Sequence, residues 1–457
     1  MDPLSTVAAF AADTPSAALP DEVLERTALI LADCIGAIVG GAAEPDVAAL
    51  TARPGVADGG TALVIGTTRT ASPGHAALLN GTAGTTLEMD EGHQFAKGHP
   101  GIHVVPAALA TASTREVSGR DFLAAIAIGY DVAARVGLAS ALRPAMHPHG
   151  TWGAIGAAVA VQRILGADAA AMREAMNMAA SLGLTTSRRT MLEGGTVRNA
   201  FAGVSGQMGI LVADLLAAGF TGDRDGVGQV FGRVASDRFD PAAMVEELST
   251  RWEVTRNYFK MHSCCRYNHA ALDALADIRA RTPELDVKSI RRIDVATYAL
   301  GVELDEPAPA NVLAAKFSLP FALATTLVNG SSGVESFTLA NVGDPAIRAL
   351  AARVALVEDP QMTARLPDRR PALVAVSLSD GRTLSAFTET NRGDWTDPYA
   401  PAEIRDKFVS LATRLWPERA AIAVWNATLA LTEAADAGGL LQLMADAPRP
   451  QSRMAIA

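Results

Sequence analysis

The sequence predicts a mainly α protein, with a large all-helical domain formed from both chain ends and a smaller inserted α+β lid domain. Three observations predict it. Up to about residue 255 the apolar residues recur at helical spacing. After about residue 262 they alternate at period two, and helical spacing returns at Pro401. The boundaries that follow are 1–261 and 400–457 for the helical domain and 262–399 for the lid. A chain of 457 residues has the length for two or three domains.

Taken in order, the first helix has Asp21 in the N-cap position. Val23, Leu24, Ala28, Leu31, Ile35 and Ile38 then follow one face as far as Gly40 and Gly41. Residues 122–142, 151–165 and 206–218 are apolar nearly all round, as core helices are, and the last stops at Gly219. Much alanine and glycine with only 5% aromatic residues predicts closely spaced helix axes. Residues 292–298 alternate as a half-buried strand, and 354–357 form a further one. Residues 372–379 and 382–388 read as a hairpin around Asp380-Gly381, the signature of a type I′ turn. After a turn-rich stretch at 391–398, residues 401–416 are helical again.

Lys+Arg of 39 against Asp+Glu of 49 gives a net charge of −10, which argues against nucleic acid or an anionic membrane as partner. The cysteines are Cys34, Cys264 and Cys265, the last two adjacent, so no disulfide framework is expected. The start of the chain lacks a basic region followed by an apolar core, and the long apolar run at 124–142 is interrupted by Asp131 and Arg135. A soluble cytoplasmic protein is expected.

Chemistry concentrates at residues 88–103, E-M-D-E-G-H-Q-F-A-K-G-H-P-G-I-H, where acids and imidazoles crowd between apolar flanks. These are the groups that move protons near neutral pH. Pro100 marks a helix start, which places His99 at its N-terminus and His103 in its first turn, where backbone N–H groups favour an anion. The plainer alternative is a capping and salt-bridge loop. The spacing Asp90-Glu91-x-His93 lacks the helical H-E-x-x-H pattern, and no metal is expected. His147 and His149 lie on a Pro/Gly-shaped turn before an alanine-rich helix, placed either for acid–base work or for capping. Arg198 follows Gly194 and Gly195, and its planar fork suits a carboxylate. Residues 258–269 bring Lys260, Cys264, Cys265, Arg266 and His269 to another helix start and suggest an anion site. The adjacent cysteines suit an iron–sulfur cluster poorly.

Together these segments resemble the MmgE/PrpD family over almost the whole chain. The resemblance rests on Leu19-Pro20-x-x-Val23, Asp33-x-x-Gly36, Asn80-Gly81-Thr82, Asp90-Glu91-Gly92-His93 with His99-Pro100, Gly219-Phe220-Thr221-Gly222, His269-x-x-x-Asp273, Lys316-Phe317-Ser318, Gly393-Asp394 and Lys407-Phe408. Members include 2-methylcitrate dehydratase, cis-aconitate decarboxylase and an iminodisuccinate epimerase. The resemblance implies a site between a helical domain and a lid, a homodimer, a small anionic carboxylate substrate and no cofactor. It places catalytic residues at Asp90, His99, His147 and His269 and substrate contacts at Arg198, His103, Lys260 and Lys316. Arg198 stands where many members have lysine and Phe321 where many have tyrosine. Glu88 and Gly92 replace the common Asp and Thr.

The mechanism implied is removal of a proton beside a carboxylate by His147 or His269, with Asp90 orienting an imidazole or acting as acid. Arg198 and the His99 region clamp the substrate. A lyase, either dehydratase or decarboxylase, is the first expectation. An epimerase using the same deprotonation is the second, and a non-catalytic carboxylate-binding scaffold a distant third.

Overall fold

Small residues set the spacing of the helices. The computed structural model describes residues 2–447. Its first half is a stack of helices: α1 (Pro3–Asp13), α2 (Asp21–Ala42), α3 (Pro73–Thr86), α4 (Pro100–Ala112), α5 (Gly119–Ala139), α6 (Gly153–Leu165), α7 (Ala169–Ser181) and α8 (Phe201–Ala217). A Cβ on Gly81 of α3 would lie 2.6 Å from the Cα of Gly203 in α8, and one on Gly129 of α5 would lie 2.7 Å from the carbonyl oxygen of Gly156 in α6. Backbone meets backbone at both crossings, as the composition predicts.

Ser72, Ser118 and Asp168 cap α3, α5 and α7 by accepting backbone N–H groups. Asp21 does not cap α2. Pro20 holds the N-cap position without a side-chain bond, and Asp21 lies in the first turn, where its charge still suits the helix dipole. Helix α5 is long and apolar enough to cross a bilayer, yet 94% of its apolar window is buried within the protein. Its Arg135 is held by Asp131 at 2.5 Å and donates to the carbonyls of Met244, Glu246 and Arg251. Helix α8, expected to be buried all round, is not: Leu211 faces out, and Phe220 beyond it is 59% exposed.

The second half contains α9 (His269–Arg281), α10 (Leu319–Asn329) and a four-stranded mixed sheet. Its strands are β1 (Ile290–Thr297), β2 (Val354–Glu358), β3 (Ala372–Leu378) and β4 (Thr383–Thr388), in the order β4-β3-β1-β2. β1 pairs parallel with β2 and antiparallel with β3. The hairpin joins β3 to β4, but not by a type I′ turn, which needs positive φ at two successive residues. Only Gly381 has it, at 90°, and the amide of Leu378 closes on the carbonyl of Arg382. The loop is therefore three residues long, with glycine at its left-handed position.

Helices α11 (Pro401–Ala412) and α12 (Glu418–Leu429) return to the first half, where Phe408 lies against Gly36 of α2. Two large apolar clusters result. One joins the N-terminal helices to Ile404, Phe408, Trp416 and Trp425. The other surrounds the sheet with Leu272, Ile293, Val295, Leu323 and Val374.

Candidate active site

The loop between α3 and α4 enters the interior because two of its residues adopt conformations that an extended or helical chain avoids. Glu88 has a φ of 55° and Lys97 one of 59°. Between them Gly92 and His93 pair with Tyr258 and Asn257 as a two-residue ladder. A Cβ at Gly92 would lie 2.3 Å from the Tyr258 hydroxyl, so glycine here is the condition for Tyr258 to pack where it does. Tyr258 Oη then lies 3.4 Å from His99 Nε2.

His99 is the N-cap residue of α4, with Pro100 at the first helical position, as the spacing predicts. Its ring turns away from the helix, and Nδ1 lies 2.6 Å from Asp90 Oδ2. The acceptor at this helix terminus is the protein's own carboxyl: the Gly101 N–H donates to Glu91 Oε1 at 2.8 Å. Tyr130 donates to the other oxygen at 2.9 Å, and burial pushes the Glu91 carboxyl up to about 8. His103 also sits apart from the cavity. Its Nε2 accepts from the Gly150 N–H at 3.3 Å, so Nδ1 carries the proton and donates to the His99 carbonyl at 2.7 Å. Burial pulls it down to about 4, a neutral ring that ties two loops together.

Asp90 and Glu88 lie in an alternating row of buried acidic and basic side chains, Arg198–Glu88–Lys260–Asp90–His99. Lys260 Nζ is 3.3 Å from Glu88 Oε2 and 3.8 Å from Asp90 Oδ1, and Arg198 is ion-paired with Glu88. Burial alone would raise the Asp90 carboxyl, but His99 and Lys260 outweigh it and hold the group well below the usual carboxylate range. Asp90 is thus an acceptor that fixes the His99 tautomer, with Nε2 facing away from it. It is not a proton donor at neutral pH. Arg198 keeps one side free: its Nε has no acceptor among the described residues.

His147 and His149 complete the imidazole row. The His149 ring stands 4.7 Å from both His147 and His99, centroid to centroid. His147 Nδ1 accepts from the His149 backbone N–H at 3.0 Å, which puts its proton on Nε2. Thr186 donates to the carbonyls of both residues and fixes the turn. Burial, with Arg198 and His99 nearby, pulls both rings well below the ordinary histidine value, so both are neutral at pH 7. These groups open on a cavity of about 60 Å³, with Arg188, Arg266, Arg370, Tyr267, Cys265 and Phe317 on its other walls.

The structure thus brings Asp90, His99, His147, Arg198 and Lys260 together, with His99, His147 and Arg198 on the cavity wall. It does not place His269 or Lys316 there. His269 begins α9, its Nε2 3.2 Å from the Cys264 carbonyl and its ring edge-on to His262. Lys316 donates to the Thr86 carbonyl and the Ser263 hydroxyl, faces a separate cavity of about 870 Å³ and is pulled down to about 8 by burial. Arg188 and Arg370 went unseen in the sequence, and Tyr258 and Tyr267 lie in the 258–269 stretch it singled out without being assigned to the site. The one local signal was Gly92, whose missing side chain makes room for Tyr258.

Residues 5–236 match the MmgE/PrpD N-terminal domain and residues 262–431 the MmgE/PrpD C-terminal domain. A cis-aconitate decarboxylase-like protein of Aspergillus oryzae is 26% identical, over 93% of this chain and 94% of its own. The cis-aconitate decarboxylase of Aspergillus terreus is 23% identical over 96% and 95%, and that of Homo sapiens 26% over 75% and 73%. By these matches, which cover both halves of the sequence, the chain belongs to the MmgE/PrpD family.

Proposed function

We propose that the protein is a cofactor-independent lyase acting on a small di- or tricarboxylate, and that its reaction is a decarboxylation. The observation that carries this is the buried, ionised Asp90 holding His99 at the wall of a cavity that also carries four arginines and the neutral His147 and His149. Asp90 accepts the Nδ1–H hydrogen bond and leaves His99 Nε2 directed toward substrate and Tyr258. Arg198, through its free Nε, neutralises a carboxylate and orients the molecule. Loss of CO₂ leaves an electron pair on carbon, and a proton delivered from His99 or from Nε2 of His147 completes the product. The cis-aconitate decarboxylases among the relatives favour this over loss of β-hydroxide, and cis-aconitate is the first compound to test.

Incubation with di- and tricarboxylates in D₂O, followed by NMR, decides the class. Decarboxylation releases CO₂ and leaves one deuteron in the product, at the carbon that lost it or, for an allylic acid such as cis-aconitate, at the far end of the shifted double bond. Dehydration gives an alkene without CO₂, and epimerisation gives exchange at an alpha carbon with inversion. Binding without exchange or turnover across the series would overturn the enzyme reading.

A further inference from the structure

We infer that Arg370 is the receptor for a second, non-reacting carboxylate of the substrate, so that the enzyme selects acids with at least two carboxylates. This rests on the lyase reading above and names its specificity residue. Four arginines line the cavity, and three already meet a carboxylate: Arg198 meets Glu88, Arg188 meets Glu303, and Arg266 meets Asp394. Arg370 meets none among the described residues, although it is only 3% exposed. Its two terminal nitrogens donate to Gln94, to the side-chain oxygen at 3.3 Å and the backbone carbonyl at 3.2 Å. Its Nε has no partner among the described residues. A guanidinium has five N–H donors, so more than half of this one is unspent.

Its surroundings add charge of the same sign. Gln94 Oε1 also accepts from Arg266 at 3.0 Å, so two guanidiniums share one neutral oxygen. Lys97, on the exposed rim of the same cavity, has no carboxylate partner among the described residues either. The Tyr267 ring, 5.8 Å from the guanidinium carbon, offers no charge. A buried cation without a counter-charge is costly, and a carboxylate held by its fork supplies what is missing. At the other end Glu88 is already paired with Arg198 and Lys260, and Asp90 with His99, so the reacting carboxylate meets Arg198 there. The molecule is therefore oriented with its spectator carboxylate at Arg370 and its reacting end at His99.

Titration calorimetry of the full-length protein with succinate and its half-amide succinamate tests this without turnover. The wild type is expected to bind succinamate about 10–100-fold more weakly than succinate. Arg370→Gln should bind succinate about as weakly as the half-amide and lose that discrimination, while Arg370→Lys keeps part of it. Lys97→Gln, at the rim, is expected to weaken succinate a few-fold, with a dependence on salt. Equal binding of the two probes by the wild type, or an unchanged preference in Arg370→Gln, overturns the assignment. So does undetectable succinate binding. Turnover by Arg370→Gln with unchanged KM would remove this site and leave the lyase. Arg370-dependent succinate binding in a protein that turns over no carboxylate would do the reverse.

Discussion

The row of charges from Arg198 to His99 gives each member one role. Asp90 is ionised and already engaged, so its removal acts on His99 rather than on substrate. Asp90→Asn is expected to lower kcat by ~10²–10⁴-fold, the range for a disabled general acid–base group, while KM changes little. His99→Ala should lose a similar factor, and combining the two should add little, because they act as one unit. His269→Gln is expected to keep turnover within a few-fold, since its ring hydrogen-bonds the Cys264 carbonyl away from the cavity. Steady-state kinetics on the four variants, the double one included, checks this, and a His269 variant as impaired as His99→Ala would refute the geometry. The sequence showed His99 because Pro100 fixes a helix start beside it. It misplaced His269 because a histidine at a helix start looks the same whether its ring faces a cavity or a backbone carbonyl. Arg370 carries no local pattern at all, since its partner Gln94 is 276 positions away.

At the level of elements, single glycines decide how the site is assembled. Gly92 lets the two-residue ladder bring Tyr258 over His99, and any side chain there meets the phenol ring first. Gly92→Ala is expected to destabilise the protein by about 1–3 kcal/mol through overpacking. In a Tyr258→Ala background the same change should cost a small fraction of that, and denaturant unfolding of the four proteins measures the difference. Equal costs in both backgrounds would show that the ladder, not the ring, sets the constraint. The elements themselves were largely readable: β1, β2 and the β3–β4 hairpin fall within a few residues of the alternating runs. What period alone could not supply was loop geometry. Asp380-Gly381 fits a two-residue turn as well as the three-residue one observed, and only the Leu378–Arg382 hydrogen bond distinguishes them. Similarly, apolar content cannot tell a buried helix such as α5 from α8, whose Leu211 faces out.

For the whole molecule, the buried ionisable groups around the site tie stability to pH. Burial raises Glu91 from 4.5 to about 8 and Asp131 from 3.8 to about 6, and lowers His103 from 6.5 to about 4. Between about pH 4 and 6.5 the unfolded chain holds a proton on His103 that the folded chain lacks, so this group makes stability rise with pH. The carboxyls act in the opposite sense. Glu91 keeps its proton in the fold up to about 8, whereas the unfolded chain has released it above about 4.5. Over that window the unfolded state binds fewer protons, and stability falls as pH rises, by about 1.4 kcal/mol per pH unit from this one group. Asp131 adds to the fall only up to about pH 6, and His103 has ceased to contribute by 6.5. From about pH 6.5 to 8, then, Glu91 is the group of the three that sets the slope. Glu91→Gln keeps an acceptor for the Gly101 N–H and can donate its amide N–H to the Tyr130 hydroxyl oxygen, but cannot ionise. The unfolding free energies of wild type and Glu91→Gln, measured across that interval, should diverge at about 1.4 kcal/mol per unit, with the wild type losing stability. Parallel curves would mean that Glu91 is already ionised in the folded protein, with the Gly101 N–H and the Tyr130 hydroxyl holding a charged carboxylate between them.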